Sequence, residues 1–378
     1  MRFKIAALTC ALMLTGCGSA GTAAPEPAAS PAARAAPGAS TPVASSSVAP
    51  SKSAPAKPAA LPSPGNPAGK AAVPAEAKAV DTSKPDRVVG TGTPASCTSA
   101  AVVKAVAAGG KITFDCGPAP VTITMKATAK VRNDHGPDVV LDGGGRVTLS
   151  GAGKRRILYQ NTCDQAQRFT TSHCQDQPTP RLTVQNLTFK DGDSTGDTTE
   201  GGGGGAIFVR GGRLKVVNSR FTGNRCDATG PDLGGAAIRA LSQSGNRPVY
   251  VVHSTFTGGI CANGGALSSI GVSWAVLNSV FTGNKAIGRG ANPARGGTPG
   301  GGSGGAIYTD GNTFTVTLSG TVVRDNHANE GGGAIFFVSN DRTGTLTLKS
   351  SSLKRNRSAG FETAGHPGIF FLGARISG

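Results

Sequence analysis

One short pattern recurs along the second half of the chain and limits the folds open to it. Aligned on an apolar position, it reads Leu182-x-Val184-x-Asn186-x-x-Phe189, Leu214-x-Val216-x-Asn218-Ser-x-Phe221-x-x-Asn224, Val249-x-Val251-x-His253-Ser-x-Phe256 and Trp274-x-Val276-x-Asn278-Ser-x-Phe281-x-x-Asn284. Two looser copies follow, Val316-x-Leu318 to Val323-x-x-Asn326 and Leu346-x-Leu348 to Leu353-x-x-Asn356. A second landmark alternates with the first: Gly204-Gly205-Ala206-Ile207, Gly234-Gly235-Ala236, Gly264-Gly265-Ala266-Leu267, Gly304-Gly305-Ala306-Ile307 and Gly332-Gly333-Ala334-Ile335. The apolar landmarks recur at steps of 32, 35, 25, 42 and 30 residues, a period that belongs to repeat architectures. Alternation with period two specifies strands, and the flanking glycines mark bends between them. The predicted fold is therefore all-β: a solenoid whose coils stack their strands in parallel, about 4.7–4.9 Å apart.

Stacking puts equivalent residues of successive coils above one another. Asn186, Asn218 and Asn278 then fall at one bend and form an asparagine ladder, with His253 on the same rung as a structural residue. The cysteines test this register. Cys226 lies five residues after Phe221 and Cys261 five after Phe256, so the two should lie within the Cα range of about 4.4–6.8 Å that a disulfide needs. Cys97 and Cys116, and Cys163 and Cys174, are expected to pair as sequence neighbours, although six cysteines allow 15 connectivities.

The Gly-Gly-Ala-[Ile/Leu] and Phe-x-x-Asn tetrapeptides resemble those of polymorphic outer membrane proteins, within the pectin-lyase-like superfamily. That resemblance covers residues 86–378, most clearly 182–358, and implies a single-stranded right-handed parallel β-helix. Ser96 to Gly145 resembles an N-terminal cap of that superfamily, with a short amphipathic helix at Ser99–Ala108 and strands at 111–115, 121–125 and 139–141. Polymorphic proteins end in a membrane β-barrel, for which nothing here corresponds after Phe370-Phe371-Leu372.

At the N-terminus, Arg2 and Lys4 precede an apolar stretch that ends in Leu14-Thr15-Gly16-Cys17. The layout is that of a secretory signal, and its end resembles a bacterial lipobox, which implies a signal peptide over residues 1–16 and lipidation of Cys17. An extracytoplasmic protein, lipid-anchored to a bacterial membrane and facing the cell surface or periplasm, is expected. From residue 18 to 85 the chain has no Phe, Trp or Tyr and holds 13 of the 24 prolines, so residues 17–85 read as a disordered tether. Residues 86–378 carry 30 bases and 18 acids. That excess favours anionic partners such as acidic polysaccharide or another envelope polymer. With no recognition helix or aromatic platform, nucleic acid is not expected; a monomer is.

Function on such a scaffold would be grafted onto the turn of variable length between the landmark Phe and the next Gly-Gly-Ala. One such loop holds Asp191, Asp193, Asp197 and Glu200, carboxylates that could bind calcium. Another holds Lys285, Arg289 and Arg295, candidate ligand-binding cations. Both follow the same landmark three coils apart, about 14–15 Å along one flank. Two readings follow. The first is a surface-displayed β-helix that binds an anionic glycan or other cell-surface polymer, in an adhesin-like or envelope role. The alternative, implied by the superfamily resemblance, is a calcium-dependent polysaccharide lyase acting on a uronate polymer by β-elimination, with Arg210 or Arg239 as base. Asn-x-Asp, Asp-Asp and Gly-His-Gly signatures of a polygalacturonase-like hydrolase are missing. Lys154, Arg155 and Arg156 read as solvated surface.

Overall fold

A computed structural model describes residues 62–198 and 201–378, all within one compact unit, Lys57–Gly378. The signal peptide, Cys17, the tether up to residue 61 and Glu200 lie outside the described residues. The architecture is a parallel β-helix: every named strand pairing is parallel, and the coils follow one another in sequence order across each sheet.

Each repeat contributes a strand after its Gly-Gly-Ala corner, a strand carrying the Leu-x-Val pair and a short strand centred on the landmark Phe. The first set forms an eight-stranded sheet from Ala129–Lys130 to Ile369–Leu372. The other two sets are joined near the N-terminal end, where the long strands Asp138–Ser150 and Arg181–Lys190 run through both faces. A minor sheet, Ile260–Cys261 to Arg357–Ser358, closes the fourth side.

Alternation sends one side chain in two to the axis. Phe189, Phe221, Phe256 and Phe281 stack in one column, with ring centroids 5.0, 4.6 and 4.7 Å apart. Val323 and Leu353 extend the column by register. Opposite, Ile207, Ile238, Leu267, Ile307 and Ile335 stack in the same way and are fully buried.

The bend before the Phe strand demands left-handed backbone. Asn186, Asn218, His253 and Asn278 have φ of 53°, 47°, 45° and 50°, and Gly320 and Ser350 fill the same corner in the looser copies. Asn is chosen there because it tolerates this region. Its amides touch only in pairs, Asn218 Nδ2 to Asn186 Oδ1 at 3.3 Å and Asn278 Nδ2 to His253 Nε2 at 3.4 Å. The amide ladder with bonded successive rungs lies at the corner after the Phe strand instead, over the last three coils. Asn284 Nδ2 donates to Asn326 Oδ1, and Asn326 Nδ2 to Asn356 Oδ1, both at 2.9 Å. Ser219, Ser254, Ser279 and Thr321 form a second ladder, each hydroxyl accepting from the backbone N–H of the preceding coil.

One landmark shifts by a residue. Because Ile238 pairs with Ile207, Gly235 is the equivalent of Gly204, and Ala236 stands where the other coils have their second glycine. A Cβ on Gly305 at that position would lie 2.0 Å from the Gly333 carbonyl oxygen. The Ala236 methyl finds room against the Cys226–Cys261 bridge.

The three expected disulfides are present: Cys97–Cys116, Cys163–Cys174 and Cys226–Cys261, with Cα separations of 5.6, 5.0 and 4.8 Å. The cap helix spans Ser99–Ala108. Thr98 caps it by accepting from the Ala101 N–H, and Val102, Ala105 and Val106 bury its inner face on the first coil.

The tether requires correction, because residues 62–85 are a strap laid along the outer side of the Leu-x-Val sheet. Ala71 bonds Asn278 through both its N–H and its C=O, and Val80 does the same with Gln185. Thr82 donates to Asp142. Ala77 is fully buried against Val217, Val252 and Leu277. Those three are apolar residues that face away from the axis, and the strap is what keeps them from water.

Candidate functional site

The strap and the sheet beneath it enclose a groove of about 550 Å³. Its floor follows from strand alternation: Thr183, Lys215 and Tyr250 face outward, and Arg181 pairs in register with Arg213. Arg247 enters from the turn before the next coil, Lys111 comes from the cap, and Glu76 comes from the strap. Five cationic side chains line the groove against two carboxylates, Glu76 and Asp138.

The cations are not equivalent. Arg181 is held in a bidentate pair by Asp138, with both contacts 2.7 Å. Hydrogen bonding to Arg181 holds the Asp138 carboxyl below its usual range despite partial burial. Lys215 Nζ is engaged by the strap, donating to the carbonyls of Glu76 and Lys78 at 3.1 and 2.7 Å. Arg213, Arg247 and Lys111 have no carboxylate partner within ion-pair distance among the described residues. Burial lowers the Arg213 pKa, and the charges of Arg247 and Arg181 lower it further. The Arg213 Nε is a buried donor without an acceptor. Tyr250 donates to Glu76 Oε1 at 3.0 Å. Such an arrangement attracts anions and offers forked donors for carboxylate, sulfate or phosphate.

The loops singled out in the sequence behave differently. Asp197 Oδ2 takes a 2.5 Å hydrogen bond from Arg156 Nη1. Asp193 Oδ1 turns back to its own loop, accepting from the Thr195 N–H, and Asp191 lies 3.8 Å from Lys190 Nζ. Among the described residues no three His, Cys, Asp or Glu side chains converge as metal ligands. Arg295 forms a bidentate pair with Glu330 at 2.8 and 2.9 Å, and Arg289 bridges to Gly300 within its own loop. Lys285 is exposed on the minor sheet beside His327.

Arg156 and Arg239 correct two further expectations. Arg156 is 4% exposed, not solvated. It donates to the carbonyls of Gly203 and Gly204 as well as to Asp197, and its guanidinium lies 5.1 Å from the Phe208 ring centroid. Arg239 is 3% exposed, so a polymer cannot reach it and it is not a lyase base. Burial drops its pKa to about 10, and its Nη1 donates to Ser268 Oγ. Arg210 ends the strand beside Gly211, and its carbonyl accepts from Thr162. Beyond Arg239 lies a cleft of about 430 Å³, where Asn292 Nδ2 reaches both Asp232 and Asp310. Burial raises the Asp310 pKa there.

The groove escaped sequence reasoning, which sought function in the variable loops and beside the Gly-Gly-Ala strands. Two signals pointed to it. Basic residues precede the apolar landmark on three successive coils, at Arg181, Arg213 and Arg247. An extra apolar residue stands before the corner at Val217, Val252 and Leu277, breaking the alternation and calling for a cover.

Residues 278–310 match the Chlamydia polymorphic membrane protein repeat. The matched stretch runs from the Asn278 corner through Phe281 and Asn284 to the strand after Gly304-Gly305-Ala306. No curated protein and no solved structure matches the chain. No helix among the described residues is long and apolar enough to cross a membrane.

Proposed function

We propose that this chain is a surface-exposed β-helix protein that binds an anionic polymer, an acidic glycan foremost, in the basic groove beneath its strap. The observation that carries this reading is the pair Arg213 and Arg247, on successive coils and without carboxylate partners among the described residues, in a half-enclosed groove. The repeat shared with polymorphic membrane proteins supports an outer-membrane-type surface location. Attachment through a lipid at Cys17 would hold the solenoid there.

Arg181 and Arg213 stand in register on neighbouring coils, about 4.8 Å apart, with Arg247 at the edge of the next coil, and such a row of cations suits a ligand that carries its own charges in series. The test is binding of the full-length chain to polygalacturonate. Replacing Arg213 and Arg247 together by Gln should weaken it about a hundredfold or more, because each of the two lost charge-assisted bonds is worth roughly 1.5–3 kcal/mol. Lys285→Gln with Arg289→Gln removes the same charge elsewhere and should change binding less than about twofold. Equal losses in the two double variants would reduce the effect to net charge and sink the groove. Release of ultraviolet-absorbing unsaturated uronates in the same incubations would assign catalysis instead.

A further inference from the structure

The groove already contains a carboxylate, and its setting differs from that of the other acid there. Asp138 is locked to Arg181 by two short bonds, whereas Glu76 is on the exposed strap, and the side-chain donor that bonds it is the Tyr250 hydroxyl alone, beside its own backbone amide. The strap backbone around it is fixed independently: Lys215 grips the Glu76 and Lys78 carbonyls, and Ala77 is buried against Val217, Val252 and Leu277. The Glu76 side chain can therefore turn outward without disturbing its backbone. Doing so would leave the Tyr250 hydroxyl, with Arg247 and Lys215 nearby, facing open groove.

We propose that Glu76 is an internal stand-in for a ligand carboxylate: it occupies the place beside the Tyr250 hydroxyl, in the groove that Arg247 and Lys215 also line, and is displaced when a uronate-type carboxylate enters. The inference rests on the groove being the binding site. It adds that the ligand group is a carboxylate, since a carboxylate is what that place already holds. It also adds that resting affinity is reduced by this built-in competitor. A short side-chain rotation, rather than release of the strap, is the switching step.

Binding of polygalacturonate to the full-length chain tests this with three proteins: wild type, Glu76→Gln, and Glu362→Gln as a control of equal charge change on the last coil. Glu76→Gln should bind about three- to tenfold more tightly than wild type, because a neutral amide oxygen holds the Tyr250 hydroxyl less strongly than a carboxylate does. Glu362→Gln should gain less than about twofold. A carboxyl NMR titration gives a direct second readout. In the free protein Glu76 titrates below the ordinary glutamate range because its own backbone amide and then Tyr250 bond it; on saturation with polymer it should return to that range. If all three proteins bind equally and Glu76 titrates alike with and without polymer, the stand-in is refuted and the groove is left standing. If none of the three binds, the groove reading itself fails.

Discussion

Arg156 and Arg239 are two buried arginines with opposite bookkeeping. Arg156 satisfies two backbone carbonyls of the Gly203–Gly204 corner and a carboxylate, and lies over the Phe208 ring. Burial lowers its pKa, with the Asp197 charge opposing. Its removal would strand the Gly203 and Gly204 carbonyls, so Arg156→Met should cost about 2–4 kcal/mol, discounted from a fully buried pair because Asp197 is partly exposed. Arg239 has a single bond to Ser268 and an Nε with no acceptor. For it the desolvation cost is poorly repaid. Arg239→Met, similar in size, should leave stability within about 1 kcal/mol of wild type. Denaturant melts of the two variants check both; equal losses would show that burial alone, and not the bonds, sets the cost.

At the scale of elements, the strap is held by polar groups that respond to pH. Asp142 accepts from Thr82 of the strap and from Gln185 and Asn186 of the sheet. Burial pushes its carboxyl up, but these bonds and the Gly144 N–H outweigh that and leave it below the ordinary value. A depressed carboxyl stabilises the fold above the unfolded pKa, near 4, and that contribution is lost as the pH falls through the lower folded value. The strap should therefore loosen selectively in acid. Hydrogen exchange of the Val80 amide, corrected for its intrinsic rate, should accelerate below about pH 4 relative to Val251, and Asp142→Asn should flatten that dependence. A parallel change at both amides would mean that acid acts on the solenoid as a whole.

Across the whole solenoid, stability is a sum of coils and of contacts between neighbouring coils, and the two ends are unequal. The first coil is covered by the Ser99–Ala108 helix and clamped by Cys97–Cys116. The last strands, Ser352–Lys354 and Ile369–Leu372, leave Leu353, Phe370 and Phe371 only partly buried. Exchange should accordingly be fastest over residues 345–377 and slowest near the Phe221 to Phe281 column, where neighbours stack on both sides. Uniform protection along the axis would contradict nearest-neighbour stacking.

The coil order and the Cys226–Cys261 bridge were legible in the chain because each depends on local pattern plus one rule, that equivalents stack; the other two bridges followed from sequence proximity, and the cap helix from a family resemblance. Cys226 and Cys261 meet because both stand five residues after a stacked Phe. The strap was not legible. Its Pro- and Ala-rich sequence has no periodicity, and it is ordered only by surfaces provided by residues more than a hundred positions away, such as Gln185, Asn278 and Leu277. For the same reason Arg213 and Arg247 did not stand out in the sequence: strap and sheet together make them neighbours in one groove. Sequence alone determined how the chain winds, because winding is a repeated local choice; the tertiary structure decided which face became a site, because that required a distant segment to cover it.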